Sequence, residues 1–272
     1  MRPAHPASRP PDSWERGSPY EQYVGRWSRQ VAPAFLAWLD LPAGLRWVDV
    51  GCGTGALAEA IASGSAPRSV TGFEPSEGFL EQARERLGAR AQLHRGSAEA
   101  LPLPDASADA TVSGLVLNFL PDVAAGLREM VRITAAGGTV AAYVWDYAQR
   151  MELMQHFWEA AARLDPAAAA LDEGVRFPLC RPQALEAAFR QAHLQEVGVT
   201  GLEIPTVFES FAAYWKPFLG GQGPAPAYAM SLPPERRQAL RDALEARLPV
   251  QADGSIALVA RAWAVRGRVP AR

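Results

Sequence analysis

The stretch Trp47-Val48-Asp49-Val50-Gly51-Cys52-Gly53-Thr54-Gly55 decides how the rest of the chain is read. Its first four residues have the character of a short buried strand. The glycines that follow allow a tight turn and let backbone approach a ligand with no Cβ in the way, and a helix starting after them offers unpaired amides. A strand, glycine bend and helix in this order describe any nucleotide-like site. The dinucleotide fingerprint spaces its glycines GxGxxG, with the helix amides on a pyrophosphate; here the third glycine comes early, as GxGxG, and Asp49 precedes the first. A carboxylate so close to the ligand suits a cationic or amine-bearing one.

Working outward, short β-rich runs alternate with longer helix-like runs up to Trp145, the pattern of parallel strands joined by crossover helices. Strands are expected at 46–50, 69–73, 91–93, 110–113 and 139–144. Helices are expected at 55–62, 77–87 and 123–133, the last ended by Gly137-Gly138. Before this unit, Tyr23, Val24, Trp27, Val31, Phe35, Trp38 and Leu39 recur at three- and four-residue steps, which predicts an amphipathic helical lid over 20–41. Residues 1–19 carry five prolines and read as a disordered lead-in. After Asp146 helices are expected at 152–164, 181–192, 208–218 and 234–248, and strands at 194–202 and 256–265. The run from Gly220 to Pro226 reads as a turn or loop.

With 272 residues, 49% of them hydrophobic, the chain can bury one sizeable core, so residues 20–272 are expected to form a single domain. A net charge of -2 supplies no field to gather nucleic acid or an anionic membrane. Two cysteines, Cys52 and Cys180, make no disulfide framework, and no apolar run reaches membrane-spanning length. A reduced, cytoplasmic setting is the expectation.

Three further segments bear on the site. Glu74 ends the second expected strand, 23 residues after Gly51, where a carboxylate can accept both hydroxyls of a ribose; the plainer reading is a cap on the next helix. The runs from Gly96 to Pro102 and from Ser113 to Phe119 follow the third and fourth strands, and strand carboxyl ends are where open α/β sheets bind ligands.

These pieces together resemble the class I S-adenosylmethionine-dependent methyltransferases, within them the group often called type 11. The resemblance runs over about residues 20–147 and rests on Val48 to Gly55, Gly72-Phe73-Glu74-Pro75-Ser76, Gly96 to Pro102 and the late strand after Gly137-Gly138. It implies a Rossmann-like seven-stranded α/β sheet, mostly parallel with an antiparallel last strand, a cofactor half at 20–147, and substrate-lid helices with the last strands at 148–272. It implies S-adenosylmethionine as cofactor and S-adenosylhomocysteine as product. Asp49, Gly51, Cys52 and Gly53 would surround the methionine portion, Glu74 would hold the ribose, and Pro75 would pack on adenine. Ser97, Ala98 and Glu99 would follow the adenine edge. Ser97 stands where related sequences usually carry Asp, which passes the contact to the adenine amino group to the backbone or to Glu99. Leu115 and Asn118 would lie beside the methionine chain.

Two questions stay open on sequence. Arg26 could pair with the cofactor carboxylate, and Tyr20, Tyr23 or Trp27 could close over the sulfonium, against the plainer reading of residues packed on a helix face. His156 is the candidate base on the helix after the fifth strand, although a lone helical histidine is more often structural. No metal cluster is expected. The acceptor pocket is expected between Trp145-Asp146-Tyr147, the helix carrying His156 and Trp158, and the insert around Tyr214, Trp215 and Phe218. So many aromatics suit an apolar or planar small molecule, or else simply fill a second core. Nucleic acid is disfavoured: neither an Asn-Pro-Pro-Tyr nor an Asp-Pro-Pro-Tyr motif follows the fourth strand, and no basic stripe appears. An RNA or protein methyltransferase, a cofactor-binding protein without transferase activity, and a nicotinamide dehydrogenase are the remaining alternatives.

Overall fold

The computed structural model describes residues 25–221 and 223–271. Seven strands form one sheet in the order β3-β2-β1-β4-β5-β7-β6. They are β1 Arg46–Val50, β2 Ser69–Glu74, β3 Gln92–Arg95, β4 Ala108–Gly114, β5 Thr134–Trp145, β6 Gln195–Phe208 and β7 Ile256–Arg268. The first five are parallel, and β7 runs antiparallel between β5 and β6. This is the Rossmann-like sheet with its reversed last strand that the sequence implied.

Period-two alternation sorts the strand residues onto two faces, and both are buried. Trp47, Ala110, Val112, Ala141, Tyr143 and Trp145 join one cluster, with α1 (Arg26–Leu39), α2 (Ala56–Gly64) and α3 (Glu77–Leu87). Val48, Val50, Val140, Ala142 and Val144 join the other, with α4 (Val123–Ile133) and α7 (Pro182–Gln191). The remaining helices are α5 (Glu152–Leu164), the single-turn α6 (Glu173–Arg176), α8 (Phe211–Trp215), α9 (Pro224–Ser231) and α10 (Pro234–Glu245). Most join the first cluster as a helical insertion on one side of the sheet.

Four expectations need correction. Gly137-Gly138 ends no helix: α4 stops at Ile133, where Thr134 turns extended and its hydroxyl donates to Met130 O at 2.6 Å. The two glycines sit in an irregular stretch of β5, where a Cβ on Gly138 would come within 2.7 Å of Asp109 O. Strand β6 runs on to Phe208, past Pro205, because it is an edge strand and the proline's missing amide costs the ladder little. The helix expected at 208–218 therefore shortens to α8 and a following 3-10 turn. The run expected as loop to Pro226 becomes helical at Pro224, where proline suits the first turn.

From Gly25 onward the expected lid is a helix lying flat on the sheet, with Trp27, Val31 and Phe35 buried beneath it. Residues 1–19, Tyr20 and Tyr23 lie outside the described residues. Beyond Trp145, which pairs with Ala262, β6 and β7 continue as a two-stranded ribbon up to the pair Phe208 and Ile256.

Candidate functional site

A cavity of about 430 Å³ opens over the carboxyl ends of β1, β2 and β4. Val50 pairs with Phe73, so the chain leaves β1 and β2 side by side, and the amides of Gly51 and Cys52 both donate to Phe73 O, at 2.8 and 2.9 Å. Gly51 and Gly53 have φ of +73° and +53°, which other residues avoid. A Cβ on Gly51 would lie 2.5 Å from Val116 Cγ2, so this glycine lets the segment after β4 close against the bend. A Cβ on Gly53 would meet no atom within 4 Å and would stand in the cavity.

Two carboxylates face this bend. Asp49 is fully buried, and both of its oxygens lack a hydrogen bond. Burial pushes its pKa up to about 7; the nearby Ala58 amide, which stops short of a hydrogen bond, opposes the rise and the Glu74 carboxylate adds to it. Glu74, at the tip of β2, accepts from the Gly53 amide at 3.1 Å and the Ser76 amide at 2.9 Å. Burial raises its pKa against those two bonds. The same burial, with the two acids nearby, holds the Cys52 thiol protonated.

The flanking walls come from the next two strand ends. Glu99 reaches from the Ser97 turn to the start of α4, where its carboxylate accepts the Asp122 amide at 2.9 Å. Leu115 takes a φ of +64°, and its amide donates to Tyr143 O at 2.7 Å. A Cβ on the preceding Gly114 would come within 2.6 Å of the Tyr143 hydroxyl oxygen. Phe119, Leu120, Trp145 and Tyr147 complete an apolar end.

The cavity brings together ten of the residues expected to bind the cofactor: Asp49, Gly51, Cys52, Gly53, Glu74, Pro75, Ser97, Ala98, Glu99 and Leu115. Asn118 is not among the lining; it sits in the 3-10 turn Leu117–Phe119 with its Oδ1 buried and unbonded. Nor is His156, which is half-buried on α5 with its pKa lowered by burial and by Arg247. Arg26 also stays off the lining, against Trp27 and Phe208.

Trp145 and Tyr147 line the cavity as expected of the acceptor wall, but Asp146 between them is turned away into an ion pair with Arg261 at 2.6 Å. Tyr214 and Trp215 pack on Phe218 instead, and Trp158 packs on Phe157 and Tyr228. Phe157 stacks on Phe218 at 4.5 Å between centroids, and the Tyr214 hydroxyl donates to Leu153 O at 2.8 Å. Sequence reasoning gave no individual role to Ser28, Val116 or Tyr143, all of which line the cavity. Tyr143 was within reach, since it lies two residues before Trp145 and shares its face; Ser28 carries no such signal.

Residues 48–142 match the family model described as "Methyltransferase domain". Among curated proteins, the chain is 34% identical over 112 residues to the malonyl-[acyl-carrier protein] O-methyltransferase of Serratia marcescens, covering 41% of this chain and 43% of that protein. It is 35% identical over 103 residues to the demethylmenaquinone methyltransferase of Desulfitobacterium hafniense, covering 36% and 41%. The matched stretch thus spans about two fifths of each relative's length. Among solved structures, Haemonchus contortus phosphoethanolamine N-methyltransferase 2, in complex with phosphomonomethylethanolamine and S-adenosylhomocysteine, superposes with a TM-score of 0.58 at 15% identity, covering 93% of this chain and 58% of that one. The [4+2]-cyclase SpnF superposes at 0.54 with 21% identity, covering 90% and 82%. These likenesses establish the shared fold.

Proposed function

Because residues 48–142 form a methyltransferase domain of the type 11 group of class I enzymes, we propose that the chain binds S-adenosylmethionine at the strand tips and methylates a small organic acceptor. The observation that carries this reading is Asp49, a fully buried carboxylate with neither oxygen bonded, beside a glycine bend that leaves room at Gly53. Such a group is costly to bury unless a positive ligand answers it. A ligand with an amine and a sulfonium in its tail meets that need, whereas a pyrophosphate would face two acids.

When bound, the cofactor supplies a methyl group already activated by the sulfonium. The chain's own residues bind and orient. Glu74 presents its two carboxylate oxygens to a ribose diol while the Gly53 and Ser76 amides fix its direction. Pro75 and Ala98 offer apolar surface to a purine, with Ser97 and Glu99 at its edge. Gly51, Cys52 and Leu115 enclose the tail with Asp49. Phe119, Tyr143, Trp145 and Tyr147 wall the far end, exclude water and favour an apolar or planar acceptor. No histidine is among the described residues that line the cavity, so rate enhancement is assigned to in-line positioning and not to a histidine base.

The test is calorimetric titration with S-adenosylhomocysteine and, separately, NAD. One-to-one binding of the first and none of the second is expected. Glu74→Gln should weaken it by about tenfold, since one charge-assisted hydrogen bond contributes roughly 1.5 kcal/mol or more. Absence of S-adenosylhomocysteine binding would sink the reading. Because the cyclase SpnF shares the fold, binding must be followed by turnover: S-adenosylhomocysteine production across a panel of phenols, quinols, carboxylates and amines.

A further inference from the structure

At the start of α1, the protein buries an arginine edge that no charge among the described residues neutralises. The Cζ of Arg26 lies 4.2 Å from the centroid of the Trp27 ring and 4.8 Å from that of Phe208, so the guanidinium rests against two aromatic faces. Its Nε and Nη2 are both buried and make no hydrogen bond. Those two nitrogens form the side of the guanidinium whose N–H bonds run parallel, the edge that grips both oxygens of one carboxylate. Burial shifts this arginine's pKa downward, with no charge among the described residues contributing. A cation held this way is unfavourable until an anion arrives.

The surroundings ask for the same partner. Trp27 Nε1 and Thr206 Oγ1 are buried without hydrogen bonds, and Trp27 and Thr206 are 5% and 0% exposed. Thr206 lies two residues before Phe208 on β6 and so shares its sheet face. Trp145 Nε1, on the cavity wall, is buried and unbonded as well. All these groups can donate, and three of them can only donate, so the unmet need is for acceptor oxygens. Ser28, on the first turn of the same helix, lines the cavity.

We propose that Arg26 is a specificity-determining residue that selects an acceptor bearing a carboxylate, held on the Nε–Nη2 edge with its apolar body against Phe208 and the aromatic cavity wall. The proposal rests on the methyl-transfer reading for the identity of the acceptor, but its anion chemistry is independent of it. A single unpaired positive charge matches a monoanion better than a phosphate dianion. Arg26 lies off the lining that holds the glycine bend, against Phe208 at the tip of β6.

The experiment is titration of the S-adenosylhomocysteine-saturated protein with octanoate and 4-phenylbutyrate, each compared with its alcohol. At least one acid should bind about tenfold or more tightly than its alcohol, the value of one charge-assisted pair. Arg26→Gln should abolish that preference, and Arg26→Lys, which keeps the charge without the fork, should retain only part of it. Thermal melts show whether each variant is folded, and Thr206→Val supplies a second, milder probe, expected to reduce the acid preference. Equal binding of acid and alcohol by the wild type, or a preference that survives Arg26→Gln, overturns the proposal. So does a loss of S-adenosylhomocysteine affinity in Arg26→Gln with methylthioadenosine affinity unchanged, because that result assigns the guanidinium to the cofactor tail. Should the wild type fail to bind S-adenosylhomocysteine, the cofactor reading falls by itself, and the acid-to-alcohol comparison without it still decides Arg26.

Discussion

Replacing Glu173 with Gln should make the protein more resistant to alkaline pH. Glu173 is 2% exposed on the single-turn helix α6; one carboxylate oxygen accepts from Trp158 Nε1 and the other is buried without a partner. Burial pushes its pKa from an ordinary 4.5 up to about 8. The folded protein therefore holds a proton that the unfolded chain releases above 4.5, and stability falls as pH rises through that interval. At about 1.4 kcal/mol per pH unit the full interval amounts to on the order of 5 kcal/mol, of which nearly 3 kcal/mol falls between about pH 6 and pH 9. The glutamine oxygen can still accept from Trp158, so the variant keeps the bond and loses the titration. Asp49, with its pKa near 7, adds its own decline below that range. The difference between wild type and Glu173→Gln cancels it. Urea unfolding at about pH 6, 7, 8 and 9 should show the two stabilities diverging upward, with melting temperatures separating by about 6–10 °C at the alkaline end. Parallel curves within about 0.5 kcal/mol would refute the reasoning, since they require Glu173 to be ionised in the fold without cost.

Gly51→Ala should cost about 2–4 kcal/mol, from the left-handed backbone and the contact with Val116, and the double variant with Val116→Ala should recover the packing part; chemical denaturation of the four proteins checks both. If Asp49 answers a cationic tail, affinity for S-adenosylmethionine should rise as pH increases through about 7, where the carboxylate ionises, and Asp49→Asn should flatten that profile in calorimetric titration. Arg132 donates to the carbonyls of Leu101 and Leu103 and pairs with Glu129 and Asp105, so Arg132→Ala should lower stability by about 2 kcal/mol and loosen the turn that carries Glu99, read as faster amide exchange over 97–103.

The parts of the fold that could be read from sequence are those where local chemistry and long-range packing agree. The buried run Trp47 to Val50, the bend after it and the acid at the end of β2 each have one favourable placement, and the crossovers fix the parallel order around them. The departures arise where a local signal has two uses. A glycine pair can stop a helix or relieve a crowded strand, and at Gly137-Gly138 the nearness of Asp109 O decided for the strand. Pro205 reads as a strand breaker until the strand is known to lie at an edge. The aromatic insert carried the same ambiguity: Trp158, Tyr214 and Phe218 have the composition of a pocket wall, and tertiary packing joins them to the core cluster on one face of the sheet. His156 and Arg26 depend on which way a helix faces at its end, and nothing in a single chain's periodicity sets that.

The ribbon that β6 and β7 raise above the rest of the sheet binds the two halves of the molecule into one mechanical piece. Two strands alone are only marginally stable in water. Here one free edge is closed by the start of α5: Arg261 N donates to Arg150 O, and the Val259 amide to Glu152, at 2.8 and 2.7 Å. The tip of the ribbon carries Phe208, on which Trp27 and Tyr214 both lean. A hinge between cap and sheet would have to tear this ladder, so opening by swinging the cap is denied. Admission to the strand tips is left to rearrangement of side chains, and loosening at Phe208 should be felt together by every layer that touches it.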